Sequence, residues 1–220
     1  MTSLEGLDLT ALDRHLTSVG IPRSGELHGE FISGGRSTLT FLVYDDASKW
    51  VLRRPPLHGL TPSAHDMARE YRVVAALEDG PVPVARAVTM RDDGSVLGAP
   101  FQMVEYVPGR VVRLARELDS LGGPQVISAC VDALIKVLAD LHAVDPDAVG
   151  LGDFGRPDGY LERQVRRWGS QWELVRLPDD PREADVQRLH SILAQSIPAL
   201  RRNRLRTATT ASTTPSWTPR

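Results

Sequence analysis

Apolar residues along the first stretch, residues 7–19, return every three or four positions, the spacing of a one-faced helix, with Asp8 and Thr10 available as caps. Between residues 26 and 54 the pattern shortens to three β-rich runs, 27–32, 39–44 and 50–53, separated by SGGRS and by the turn-forming DDASK. Runs of this length and spacing predict an antiparallel meander. Pro55 and Pro56 should end the third run, because proline brings no N–H to continue a ladder. Helical spacing returns over 63–77, where Met67, Tyr71, Val74 and Leu77 share a face. EDGPVPVARAV then breaks that helix and leads to a further strand, DDG at 92–94 marks a hairpin turn, and 100–107 reads as the partner strand. The order β-β-β-α-β-β predicts a twisted sheet with one helix packed across it.

The pattern changes after VPGR. Val126, Cys130, Ala133, Leu134, Val137, Leu138 and Leu141 form a wide apolar face on a helix predicted over 124–144, the expected core helix of a second, helical lobe. A loop and two further helices, 160–175 and 181–193, complete that half, and nothing in it reads as a strand. The tail 200–220, RRNRLRTATTASTTPSWTPR after its first leucine, has neither period and is expected to be disordered. The predicted organisation is therefore a sheet lobe at 1–107, a partial helical lobe at 108–199 and an aberrant tail at 200–220.

Composition narrows the classes of function. The 220 residues are 41% hydrophobic, enough for a real core, and 26 basic against 28 acidic side chains are interspersed. Such a surface offers no broad field to nucleic acid or to an anionic membrane. No apolar stretch has the length of a membrane span, the single cysteine cannot form an internal disulfide, and the N-terminus lacks a secretory pattern, so a soluble cytoplasmic protein is expected. Lys49 and Lys136 are the only lysines beside many arginines, alanines and glycines, which suggests a GC-rich coding sequence.

Several residues could carry chemistry. In SGGRST, Gly34 and Gly35 would let the backbone approach a ligand closely, with free N–H groups turned to phosphate oxygens; a plain hairpin turn explains the same glycines. The third strand carries WVLRR and the next helix MAREYRVV, which offers Arg53 and Glu70 as a cation and a carboxylate partner, or as an ordinary exposed pair. Alternation puts Lys49 on the same strand face as Arg53, but it sits in the turn, where it should be poorly fixed. In FQMVEYVPGR an apolar strand ends in Glu105, Tyr106 and Val107 before proline and glycine. His142 reads as a helix-end residue.

With GGRSTLTFLV, WVLRRPP, HDMAREYRVV, PVPVARAV, GAPFQMVEYVPGR, LADLHAVD, GLGDFGRPDGYLERQVRRW and QWE in this order, the chain resembles the aminoglycoside phosphotransferase and choline kinase-like superfamily. More narrowly it is similar to the bacterial branch found beside, or fused to, acyl-CoA dehydrogenases, although no flavin-binding pattern occurs here. The resemblance covers residues 7–193. It implies an α+β, protein kinase-like bilobal fold with a complete N-terminal β-sheet lobe and an incomplete helical C-terminal lobe. It also implies transfer of the ATP γ-phosphate to a hydroxyl of a small molecule, with magnesium (Mg2+) bridging the phosphates. Gly34, Gly35 and Ser37 would then cover the phosphates, Arg53 and Glu70 would be the phosphate-binding cation and its partner, and Met103 would line the adenine pocket. Glu105, Tyr106 and Val107 would form the hinge. Arginine where the family has lysine changes the geometry of phosphate contact.

The resemblance also requires a loop of the type HGD-x-x-x-x-N, whose aspartate takes the substrate proton, and a later magnesium-binding aspartate. Neither motif occurs in the sequence, so no catalytic or metal residue is assigned. Gly152-Asp153 and His65-Asp66 stand in the wrong order and read as loop and helix-start residues. The tail suggests a reason. Read one base earlier with permitted wobble bases, the codons of TATTASTTPSWT, residues 207–218, spell HGDYRIDNTILD, with every third base C or G. A truncated or frameshifted chain is expected from this: inactive as it stands, with apolar surface exposed over 126–141. The alternative is a non-catalytic nucleotide-binding or partner-binding fragment.

Overall fold

The computed structural model describes residues 4–32, 38–56, 66–112, 114–156 and 158–198, with the side chains of 115, 116 and 119 left aside. These residues divide into two compact units, one running up to His142 and the other starting at Ala143.

The first unit is built on a five-stranded antiparallel sheet. Its strands are β1 (His28–Phe31), β2 (Leu39–Tyr44), β3 (Lys49–Arg54), β4 (Ala87–Arg91) and β5 (Phe101–Glu105), in the spatial order β1-β2-β3-β5-β4. The first three strands form the expected meander, with Phe31 opposite Phe41 and Phe41 opposite Leu52. β5 then inserts between β3 and β4, with Leu52 opposite Met103. Helix α1 (Leu9–Ser18) precedes the sheet, and α2 (Met67–Leu77) connects β3 to β4. Both helices start on an aspartate whose carboxylate accepts a backbone N–H of the first turn, Asp8 from Ala11 and Asp66 from Arg69. Asp66 is thus a helix-start residue, as its place in the sequence implied.

Alternation along the strands decides what each face does. One face carries Phe41, Val43, Trp50, Leu52, Phe101 and Met103, all buried, and packs with Leu7, Leu12 and Leu16 from the N-terminal segment and α1 into the core. Arg54 lies on this face too, 4% exposed. Its guanidinium donates to the Gly6 carbonyl at 2.5 Å and the Leu97 carbonyl at 3.0 Å, and it has no carboxylate partner among the described residues. Burial lowers its pKa from the ordinary arginine value. The opposite face presents Lys49, Val51 and Arg53.

The β4–β5 connection is longer than a tight hairpin. The turn at Asp92 begins as expected, but the loop runs on to residue 100: Asp93 accepts the Ser95 N–H, the Gly98 N–H closes on Gly94, and Gly98 takes a φ of +74°. After the sheet come a short 3-10 turn (Ala115–Ser120) and α3 (Pro124–Ala143). The sequence predicts α3 as the core helix of a helical lobe whose incompleteness leaves apolar surface exposed over 126–141, and the exposure is what the structure shows. It has no buried residue, and Val131, Leu134 and Ile135 are exposed.

The second unit contains α4 (Tyr160–Val175) and α5 (Glu183–Gln195). Asp180 anchors the turn between them by accepting the Arg182 N–H at 3.0 Å and its guanidinium at 2.6 Å, and that guanidinium lies over the Trp172 ring. The Trp172 indole N–H in turn donates to Glu183 at 2.8 Å. Trp168, Trp172, Leu189 and His190 line an apolar cavity of about 710 Å³ between these two helices.

Candidate functional site

The glycine-rich stretch closes the β1–β2 hairpin, and its residues 33–37 lie outside the described residues, so Gly34, Gly35 and Ser37 are not placed. Its two ends are. The Ile32 N–H donates to the Thr40 carbonyl at 2.9 Å, closing the base of the loop, and Thr40 stands opposite Arg53 in the β2–β3 register. The loop therefore leaves the sheet at the end where Arg53 sits.

Arg53 reaches across to α2. Its Nη1 donates to Glu70 Oε2 at 2.8 Å, and its Nη2 lies 3.4 Å from the hydroxyl of buried Thr38, the first described residue after the glycine loop. The aspartate cap at Asp66 sets the helix phase and places Glu70 in the first turn, its N–H closing on the Asp66 carbonyl. The strand cation, the helix carboxylate and the foot of the loop thus converge as the sequence suggested. Both side chains of the ion pair keep contact with solvent, at 37% and 40% exposure, so the guanidinium is reachable by a ligand.

Gln102 joins this group, and sequence reasoning missed it. It faces Arg53 across the β3–β5 pair, is 3% exposed, and its amide Nε2 donates to the same Glu70 Oε2 at 2.7 Å. The signal was present in the strand: a lone amide in an apolar run, one position before Met103 and so on the other face.

Met103 itself is placed away from the group. It lies on the α1 side of the sheet with no exposed surface, whereas Val51 and Val104, opposite each other in register, share the face of Arg53. The expectation that Met103 lines a nucleotide pocket is corrected by this one-residue alternation. Lys49 is the first residue of β3 rather than part of the turn, and is exposed.

Glu105, Tyr106 and Val107 are exposed where β5 leaves the sheet. The Glu105 N–H still bonds the Arg86 carbonyl and the Tyr106 N–H the Lys49 carbonyl, both at 2.9 Å. The Val107 N–H makes no hydrogen bond among the described residues, so at that position the backbone is open to a ligand. His142 is exposed in the last turn of α3, and Gly152 and Asp153 lie in a loop. Among the described residues no group of three or more His, Cys, Asp and Glu side chains is arranged to hold a metal ion, and none of their helices is long and apolar enough to cross a membrane.

The match to known proteins follows this geometry. The model of the phosphotransferase enzyme family (APH) aligns with residues 28–208. The chain belongs to that family. A solved Ralstonia eutropha structure assigned to the aminoglycoside phosphotransferases is 33% identical, with a TM-score of 0.70, over 87% of this chain and 54% of that one. Acyl-CoA dehydrogenase family member 11 of Gallus gallus is 35% identical over 195 residues, which is 87% of this chain and 24% of that protein. Family member 10 of Mus musculus is 31% identical over 198 residues, 89% of this chain and 18% of that protein. The chain thus spans about half of the bacterial structure and less than a quarter of these animal relatives. The aminoglycoside phosphotransferase APH(4)-Ia, solved with AMP-PNP and hygromycin B, is 14% identical with a TM-score of 0.55 over 86% of this chain and 61% of that one, a likeness of fold. The fold is α+β and kinase-like.

Proposed function

We propose that this phosphotransferase chain carries the nucleotide-gripping part of an ATP-dependent small-molecule kinase, with a hydroxyl as phosphoryl acceptor. The observation that carries the reading is the Arg53–Glu70 pair, fixed at 2.8 Å beside the foot of the glycine loop and on the sheet face shared with Val51 and Val104. A guanidinium held this way binds phosphate oxygens, two valines offer an apolar floor to a base, and the open backbone at Val107 can exchange hydrogen bonds with its edge. Gly34, Gly35 and Ser37 are assigned to the phosphates by their place in the hairpin, and Glu105, Tyr106 and Val107 to the hinge.

Residues 1–107 serve as the nucleotide lobe and residues 108–199 as part of a helical lobe, while 200–220 lie outside the described residues. Magnesium would accompany ATP in such a kinase, but the described residues supply no ligand set for it, so none of its steps is assigned here. The sequence contains no HGD-x-x-x-x-N loop to take the proton of the acceptor hydroxyl. Transition-state stabilisation is accordingly missing, and the chain binds nucleotide without turning it over. A reading frame shifted over 207–218 is supported by the family match, which ends at residue 208, the second residue of that segment. Action alongside an acyl-CoA dehydrogenase fits the names of the relatives above, and residence in the cytoplasm belongs to the same proposal.

Calorimetric titration with AMP-PNP, paired with ATP turnover on a panel of hydroxylated small molecules, tests the reading. Binding without turnover is expected, and turnover should appear once the frame across 207–218 is restored. A chain that binds no nucleotide would refute the proposal.

A further inference from the structure

We propose that Gln102 is a positioning residue for the nucleotide-gripping cation: by holding Glu70 it keeps the Arg53 guanidinium attached through one nitrogen and leaves its remaining N–H groups for phosphate oxygens. This rests on the nucleotide reading above and refines it.

The geometry carries the inference. Glu70 Oε2 receives two donors, Gln102 Nε2 at 2.7 Å and Arg53 Nη1 at 2.8 Å, from two neighbouring strands. A guanidinium and a carboxylate left to themselves favour a two-pronged pair, in which two parallel N–H groups meet the two oxygens. That pairing is not formed here, because the second guanidinium nitrogen turns instead to Thr38 Oγ1 at 3.4 Å. An ionised carboxylate only accepts, so the Gln102 amide must present its NH2 to it, and the amide orientation is fixed by chemistry. Held by two strands, Glu70 is tied to the sheet before any ligand arrives.

Packing does not explain the glutamine. Its Oε1 is buried and finds no hydrogen-bond partner, an arrangement that costs stability. A methionine of similar length would fill the same space without an orphaned oxygen. The amide is therefore a stability liability whose one polar contact serves the binding group, a pattern expected where function and stability compete.

The test compares the full chain with Gln102→Met, Arg53→Lys and the double variant, by calorimetric titration with AMP-PNP and by thermal unfolding. Gln102→Met should weaken AMP-PNP about tenfold, because Glu70 is then free to take the guanidinium in a two-pronged pair, while the melting temperature stays level or rises. In the Arg53→Lys background the same change should alter affinity less than about twofold, since an ammonium cannot form that pair. Wild-type affinity in Gln102→Met would overturn the proposal. So would equal losses in both backgrounds, or a loss accompanied by a falling melting temperature, either of which marks a structural role. If the wild-type chain itself binds no AMP-PNP, the nucleotide reading fails and this refinement goes with it.

Discussion

Replacing Arg53 by methionine separates what the Arg53–Glu70 pair does for folding from what it does for binding. Both partners are more than a third exposed, and water and salt therefore screen their attraction. A pair in that position contributes about 0–1 kcal/mol to stability. In a protein of this size such a loss lowers the melting temperature by about 2–4 °C. The aliphatic stem of the methionine covers the same part of the sheet, and Gln102 still holds Glu70 at 2.7 Å, so α2 keeps its tether. Binding is affected far more. A charge-assisted hydrogen bond to a phosphate is worth about 1.5–3 kcal/mol, so AMP-PNP affinity should fall about ten- to a hundredfold. Titration calorimetry at two salt concentrations reads both the loss and its origin, because the variant should also lose part of the salt dependence seen in the wild type. Affinity within about twofold of wild type would refute the phosphate role. A melting temperature lowered as much as by a core truncation would show that the pair is structural instead.

Three further outcomes follow from the same structure. Leu52→Ala, at a fully buried position central to the sheet core, should cost about 2–5 kcal/mol by urea denaturation, and a loss below 1 kcal/mol would contradict the packing described. Burial lowers the pKa of His15 from the ordinary 6.5, with Arg91 acting in the same direction and Asp93 against it. The unfolded chain then takes up a proton that the folded chain resists, so stability should be full above about pH 6.5, fall as the pH drops below it, and lose that slope in His15→Gln; a slope unchanged in the variant would place its cause elsewhere. Ile135→Glu, at a side chain 60% exposed on α3, should reduce light scattering on concentration with a stability change within about 0.5 kcal/mol.

Much of this fold was readable because its sheet is half-buried and its strands obey a period of two. The runs at 39–44 and 160–175 coincide with β2 and α4, and the three-strand meander follows from turns that proline, glycine and aspartate mark in the chain. The same period carried the site only partway. It puts Lys49 and Arg53 on one face, but the apolar character of Met103 does not reveal which way β5 turns it, and one residue reverses the answer. Gln102 was invisible for the complementary reason: an amide gains meaning only from the carboxylate it meets, and Glu70 is 32 residues earlier in the chain. The apolar stripe of α3 fixed its helical form but not its burial, because a stripe states what a surface prefers and not whether a neighbour is there to cover it.

The buried guanidinium of Arg54 bears on where this protein can be cut. The match to the family model begins at residue 28, and a fragment designed to that boundary would discard both the Gly6 carbonyl and the leucines of α1. The sheet would then expose an apolar underside with a cation set in it that has lost one of its two acceptors. An expression clone trimmed to that match should therefore come out insoluble, whereas one starting ahead of Leu4 keeps the underside sealed: the unit of folding is longer than the segment the family model covers.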